Sequence, residues 1–281
     1  MKKILALTLA LVMCAFCFAA CGQKEELKIG KQYNALTSQT DVLVQLNSGS
    51  IDVGVMDSIM AGYYMSQDSA YADSLMIVDG LTLATEQYGI AARKGSGFAK
   101  KINEALIKLA NEGTVETLAA KYGIASELCI DKTATVEAMT EAEAKDWNDI
   151  VEKGTFVVGY TLFAPIAYEN EGGELVGFDI ELARAVAAEL NLNVKFEIIE
   201  WSAKEAKLEG GAIDCIWNGM TITEERLAAM EISIPYLNNK QVAVIRKTDS
   251  DKYTTVDSMA KAIMGAESGS AGESCIIVAA E

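Results

Sequence analysis

The chain has 281 residues, 51% hydrophobic and 23% charged. That balance suits roughly two globular domains and excludes a wholly disordered chain, a collagen or a coiled-coil rod. With 24 Lys and Arg against 40 Asp and Glu, the formal net charge is -16, so a basic face able to neutralise nucleic-acid phosphates is not expected. The chain has no histidine, which excludes a histidine triad, a histidine-ligated zinc site and a histidine general base.

Residues 1–20 start with Lys2 and Lys3, continue apolar and end in Ala19-Ala20, the pattern of a secretory signal peptide; Cys21 follows. No later run approaches the ~20 apolar residues of a membrane span. Residues 27–33 form a candidate strand. Residues 46–52, LNSGSID, end a short helix and lead into the apolar run 53–56. Residues 131–153 are polar and rich in Ala, Glu and Met, predicting a linker helix, with a disordered tether as the alternative. Then comes an unbroken α/β series: a strand at 155–159, a turn at Gly172-Gly173 and a helix over 178–190. Ile180, Leu182, Ala183, Val186, Ala187 and Leu190 lie on one face of that helix. A strand at 194–199, a short helix at 202–209 and a strand at 213–217 follow. The βαβαβ order implies a parallel sheet with right-handed crossovers. At the far end, 262–265 reads as another opening strand, and Gly269 to Glu273 lead a helix.

Residues 208–214, LEGGAID, share the pattern L-x-x-G-x-I-D with 46–52, so the chain holds two copies of one helix–turn–strand unit. The second copy is preceded by its opening strand and helix. The first is not, and the stretch 262–281 resembles the missing opening, which splits the second α/β unit between the two ends of the chain. Of the six cysteines, Cys14, Cys17 and Cys21 lie in or beside the leader. Cys129, Cys215 and Cys275 show neither metal spacing nor a disulfide framework, and Cys215 in its apolar run reads as a small core residue.

Two positions carry candidate binding chemistry. Residues 218–223 follow a strand and are expected to open a helix, with Thr221 and Glu224 as a capping box. A helix start favours an anion, and Arg226 adds a bidentate clamp. Asp57 stands five residues after Asp52, as Gly219 stands five after Asp214. A carboxylate at a strand's carboxyl end suits an ammonium ligand, and Asp57 as a helix N-cap is the plainer alternative.

The runs ELVGFDIELARAVAAEL (174–190), IDCIWNGMTITEER (213–226), IPYLNNKQVAVIRK (234–247), IDVGVMDSIMAGYY (51–64) and EQYGIAARKGSGFAKKINEAL (86–106) resemble the amino-acid-binding solute receptors of bacterial ABC importers, family 3. The resemblance implies the type II periplasmic-binding-protein fold: two α/β lobes, each a mostly parallel sheet flanked by helices, with two hinge crossings. In the family the part like 154–281 comes first, so the chain is expected to be circularly permuted. Lobe 2 is then 22–88 plus 243–281, lobe 1 is 89–130 plus 154–242, and 131–153 joins the family's usual ends. The implied function is an extracytoplasmic binding lipoprotein, lipidated at Cys21 and anchored to the cell membrane. It would bind a polar amino acid, partner an importer permease, and work as a monomer, with a swapped dimer as the alternative, without enzymatic activity, cofactor, metal or nucleic acid. An inactive or sensory domain and a dehydratase on the same fold are the alternatives. The resemblance places Arg226, Thr221 and the Gly219 backbone on the ligand carboxylate, with Ser270 from the other lobe, and Asp57 on its ammonium. Phe163 would lie over the ligand, and Trp201 would wall the side-chain pocket or sit in the core, the two roles fitting equally. Trp217 fits wall or core equally, and Glu197 or Glu200 would reach a basic ligand side chain if not simply solvated.

Overall fold

The computed structural model describes residues 26–66 and 71–278. The expected signal peptide, residues 1–20, and the expected lipidation site Cys21 therefore lie outside the described residues. The strands are β1 (Glu26–Leu27), β2 (Gln32–Leu36), β3 (Val53–Asp57), β4 (Leu75–Arg93), β5 (Thr155–Tyr160), β6 (Tyr168–Glu169), β7 (Leu175–Val176), β8 (Asn193–Ile198), β9 (Cys215–Thr221), β10 (Met230–Ile232), β11 (Leu237–Arg246), β12 (Ile263–Glu267) and β13 (Ile277–Val278). The main sheet runs β2-β12-β3-β11-β4-β9-β5-β8, with β10 added to β4. At one end β12 lies parallel between β2 and β3; at the other β5 lies parallel between β8 and β9. Each parallel set is closed by one antiparallel strand, β11 on β3 and β4 on β9, and these two long strands pair with each other in the middle. A strand from late in the chain thus completes the half built from its beginning.

The two copies of L-x-x-G-x-I-D do the same work in the two halves. The Asp52 N–H donates to the Ile263 carbonyl at 2.8 Å, and its carboxylate accepts from the Ile263 N–H at 2.9 Å. The Asp214 N–H donates to the Val157 carbonyl at 2.8 Å, and its carboxylate accepts from the Val157 N–H at 3.0 Å. An arginine ending each central strand backs each aspartate: Arg246 to Asp52 and Arg93 to Asp214, both at 3.3 Å. The opening strands also approach their neighbours alike. A methyl group at Gly159 would sit 2.5 Å from Ile213 Cδ1, and one at Gly265 would sit 2.7 Å from Ile51 Cδ1. Only glycine lets these strands pass that close.

The helices follow their apolar spacing. Phe178–Glu189 buries Phe178, Ile180, Leu182, Ala183, Val186 and Ala187, and Phe98–Asn111 buries Phe98, Ile102, Ala105, Leu106 and Leu109. Gln39–Ser48 is fixed at its start by the Ser38 hydroxyl, which accepts from the Asp41 N–H at 3.1 Å, and at its end by left-handed Gly49. The linker region is helical over Glu141–Lys153, where Thr140 and Glu143 form a reciprocal capping box and Gly154 ends the helix. Among the described residues no helix is long and apolar enough to cross a membrane.

Two expectations shift. The strand expected over 27–33 lies at Gln32–Leu36, because the Lys28 and Ile29 N–H groups bond the Ile276 carbonyl and Gly30 turns the chain at φ 87° before it joins β12. The helix expected to open at 218–223 starts at Glu224. Residues 215–221 stay extended because Thr221 pairs with Tyr88 and the Ile222 N–H donates to the Gln87 carbonyl. The cap is therefore Thr223, whose hydroxyl accepts from the Arg226 N–H at 3.2 Å, and the Thr221–Glu224 capping box does not form.

Candidate functional site

The carboxyl ends of β3 and β12 face the carboxyl ends of β5 and β9 across a narrow gap. All seven residues expected to bind ligand line it: Arg226, Thr221, Gly219, Asp57, Ser270, Phe163 and Trp201. Sequence reasoning missed Gln39, Thr161, Asn218, Gln241 and Glu267, which line it too. Its walls lie close together, so entry of a ligand requires the two faces to part.

On the β9 side, Arg226 is mostly buried, its side chain 11% exposed. Its Nη1 donates to the Thr221 carbonyl at 2.8 Å, and its Nη2 crosses the gap to the Gly269 carbonyl at 3.2 Å. Burial lowers its pKa, opposed by the acids Glu205, Glu86, Glu225 and Asp57; it stays cationic at neutral pH. The Thr221 hydroxyl lines the gap and makes no hydrogen bond among the described residues. Ser270 caps Ala271–Ile276 by accepting from the Glu273 N–H at 3.2 Å, which leaves its own O–H free to donate. Gly219 contributes no free N–H, because that group donates to Asp179 Oδ2 at 2.9 Å. What Gly219 supplies is space: it sits at φ 60°, and a methyl there would lie 2.7 Å from Phe163 Cε1 and 2.9 Å from Tyr88 Cε2.

Opposite, Asp57 is 5% exposed at the end of β3. Its Oδ1 accepts from the Tyr88 hydroxyl at 2.7 Å, from Gln241 Nε2 at 2.9 Å and from Asn239; its Oδ2 accepts from Gln39. The N-cap alternative is not what the structure shows, since the Ile59 N–H is taken by Asn239. Burial and the nearby Glu86 carboxylate push the Asp57 pKa up. A cation entering beside it would favour the charged form.

Lys204, unforeseen from sequence, is 2% exposed. Its ammonium lies 4.8 Å from the Trp201 ring centre and donates to the Gly269 carbonyl at 3.0 Å. Arg226 and Lys204 thus grip one carbonyl of the facing half. Trp217 is fully buried in the core and does not line the gap. Glu197 pairs with Lys207 at 2.7 Å and Glu200 is exposed; neither reaches the gap. Cys215 is buried among apolar side chains, as expected.

Residues 156–267 match the family described as bacterial extracellular solute-binding proteins, family 3. The L-cystine-binding protein TcyJ of Escherichia coli (strain K12) is 28% identical over 113 residues, 40% of this chain and 42% of that protein. A probable amino-acid ABC transporter-binding protein of Haemophilus influenzae is 33% identical over 120 residues, 42% of this chain and 47% of its own. A substrate-binding protein of an ABC uptake transporter from Streptococcus pneumoniae, solved with bound histidine, shares 35% identity across 30% of this chain and 35% of its own, with a TM-score of 0.29. The chain spans less than half the length of these relatives. Over the segment 156–267 the chain is thus similar to the bacterial extracellular solute-binding proteins, family 3.

Proposed function

We propose that this protein is an extracytoplasmic receptor that closes on a polar amino acid and delivers it to an ABC importer. One observation carries the reading: a guanidinium and a carboxylate, Arg226 and Asp57, converge on one gap from opposite halves of the sheet. A zwitterion places its carboxylate on Arg226, Thr221 and Ser270 and its ammonium on Asp57, so that binding and closure are one event. The lobes divide at the paired segments of β4 and β11, where Asn238 opposes Gln87 and the register slips at Gln241 and near Gly89. Lobe 2 is 22–88 plus 243–281, lobe 1 is 89–130 plus 154–242, and 131–153 joins the family's usual ends. The exchange of halves is supported by β12 lying between β2 and β3. A rearranged gene with 154–281 ahead of 26–130 should give the same fold and the same ligand. Because β12 is supplied by its own chain, the protein should elute as a monomer. Lipid attached at Cys21 would hold it at the membrane.

The test is a thermal-shift screen of the twenty amino acids. A shift with one or a few supports the receptor, and no shift with any sinks it. One observation favours a second reading, a dehydratase. Glu267 in the gap is held near 8 by burial and by Asp57, a carboxylic acid that stays protonated at neutral pH as a general acid requires. Turnover of a bound hydroxy acid would favour that reading over the first.

A further inference from the structure

We propose that Glu267 selects ligands whose side chain ends in a second positive charge, an inference that rests on the amino-acid receptor reading above. Glu267 ends β12, is 4% exposed and lines the same gap as Asp57 and Arg226. A zwitterionic backbone is fully matched without it: the carboxylate has Arg226, Thr221 and Ser270, and the ammonium has Asp57. Glu267 is left over. No hydrogen bond to its carboxylate is found among the described residues. Among the described residues, the buried ammonium of Lys204 donates to the Trp201 and Gly269 carbonyls at 3.3 and 3.0 Å, pairs with Glu205 at 3.5 Å, and forms no ion pair with Glu267. A second buried acceptor in the lining, Gln241 Oε1, also lacks a partner. The gap thus offers more acceptors than an α-ammonium alone can satisfy. Buried without a partner, the Glu267 carboxyl is disfavoured in its charged form, and the cation of a lysine, ornithine or arginine side chain entering beside it would supply the partner that lets it ionise.

The experiment is calorimetric titration with two matched pairs, lysine against norleucine and arginine against citrulline, which differ in the terminal charge. The wild type should bind the charged member of at least one pair about 30-fold more tightly or better, and Glu267→Gln should lose about that factor for the charged ligand. The uncharged ligand should change less than about 3-fold, so it reports that the variant still folds and closes. Equal binding of charged and uncharged members by the wild type overturns the selection while leaving the receptor reading intact. Unchanged affinity for the charged ligand in Glu267→Gln also overturns it. Binding of no amino acid at all refutes the receptor reading and this inference with it.

Discussion

Glu267→Gln also makes a prediction for the ligand-free protein. Burial, then the charge of Asp57, pushes the Glu267 carboxyl from 4.5 up to about 8, with Lys204 pulling the other way. The folded state therefore keeps a proton that the unfolded chain releases between those values. The folded state binds more protons there, so this group's contribution to stability falls as pH rises from about 4.5 to about 8 and is flat above. At 1.36 kcal/mol per pKa unit, the cost at pH 7 is roughly 3 kcal/mol. Glutamine does not titrate, and the substitution removes no hydrogen bond found in the structure. The variant should thus exceed the wild type by roughly 3 kcal/mol at pH 7, or about 6–10 °C in Tm for a chain of this size. The gain should vanish near pH 4, where the carboxyl is protonated in both states. The assay is thermal unfolding by far-UV circular dichroism of both proteins, ligand-free, across pH 4 to 8. A Tm difference independent of pH, or a variant less stable at pH 7, would refute the reasoning.

Two further outcomes follow from the structure. Asp214→Ala should cost about 3–5 kcal/mol, because it strands the Val157 N–H, Arg93 and Lys153 around a carboxylate only 4% exposed; Asp52→Ala, at 23% exposure, should cost about 1–3 kcal/mol. Urea unfolding measures both, and equal costs would contradict the argument from burial. Lys204→Met keeps the apolar stem and removes one of two donors gripping the Gly269 carbonyl, so the ligand-free molecule should open. Small-angle scattering should show a larger radius of gyration, whereas superimposable profiles would mean that Lys204 does not hold the halves together.

What was legible in the sequence was the repeated unit, the acid placed by it, and the arginine beside the second copy. The pattern L-x-x-G-x-I-D is readable because its aspartate has one job, bonding the backbone of the strand beside it, and that job demands the same residues twice. Asp57 follows from its offset after it, and Arg226 from its place beside an expected helix start and from the family resemblance. The helix start did not, because the local pattern fits two registers: Thr221 with Glu224, or Thr223 with the turn that follows. The choice is made by Tyr88, far away in the chain, whose pairing keeps Thr221 extended. Glu267 was invisible for a related reason. In the sequence it is one acid among 40 Asp and Glu, and it becomes exceptional only when β12 slots between β2 and β3 and carries it into the gap. Gln39, Gln241 and Lys204 likewise acquire meaning from the partner the fold brings them.

The central claim is that Arg226 and Asp57 hold the two ends of one amino acid. Its most direct test is calorimetric titration of the amino acid found by screening into the wild type, Arg226→Ala and Asp57→Ala, with circular dichroism confirming that each variant is folded. Each loss should weaken binding by about 2–5 kcal/mol, since it leaves one desolvated ligand charge without its partner. Wild-type affinity retained by either folded variant would contradict the account.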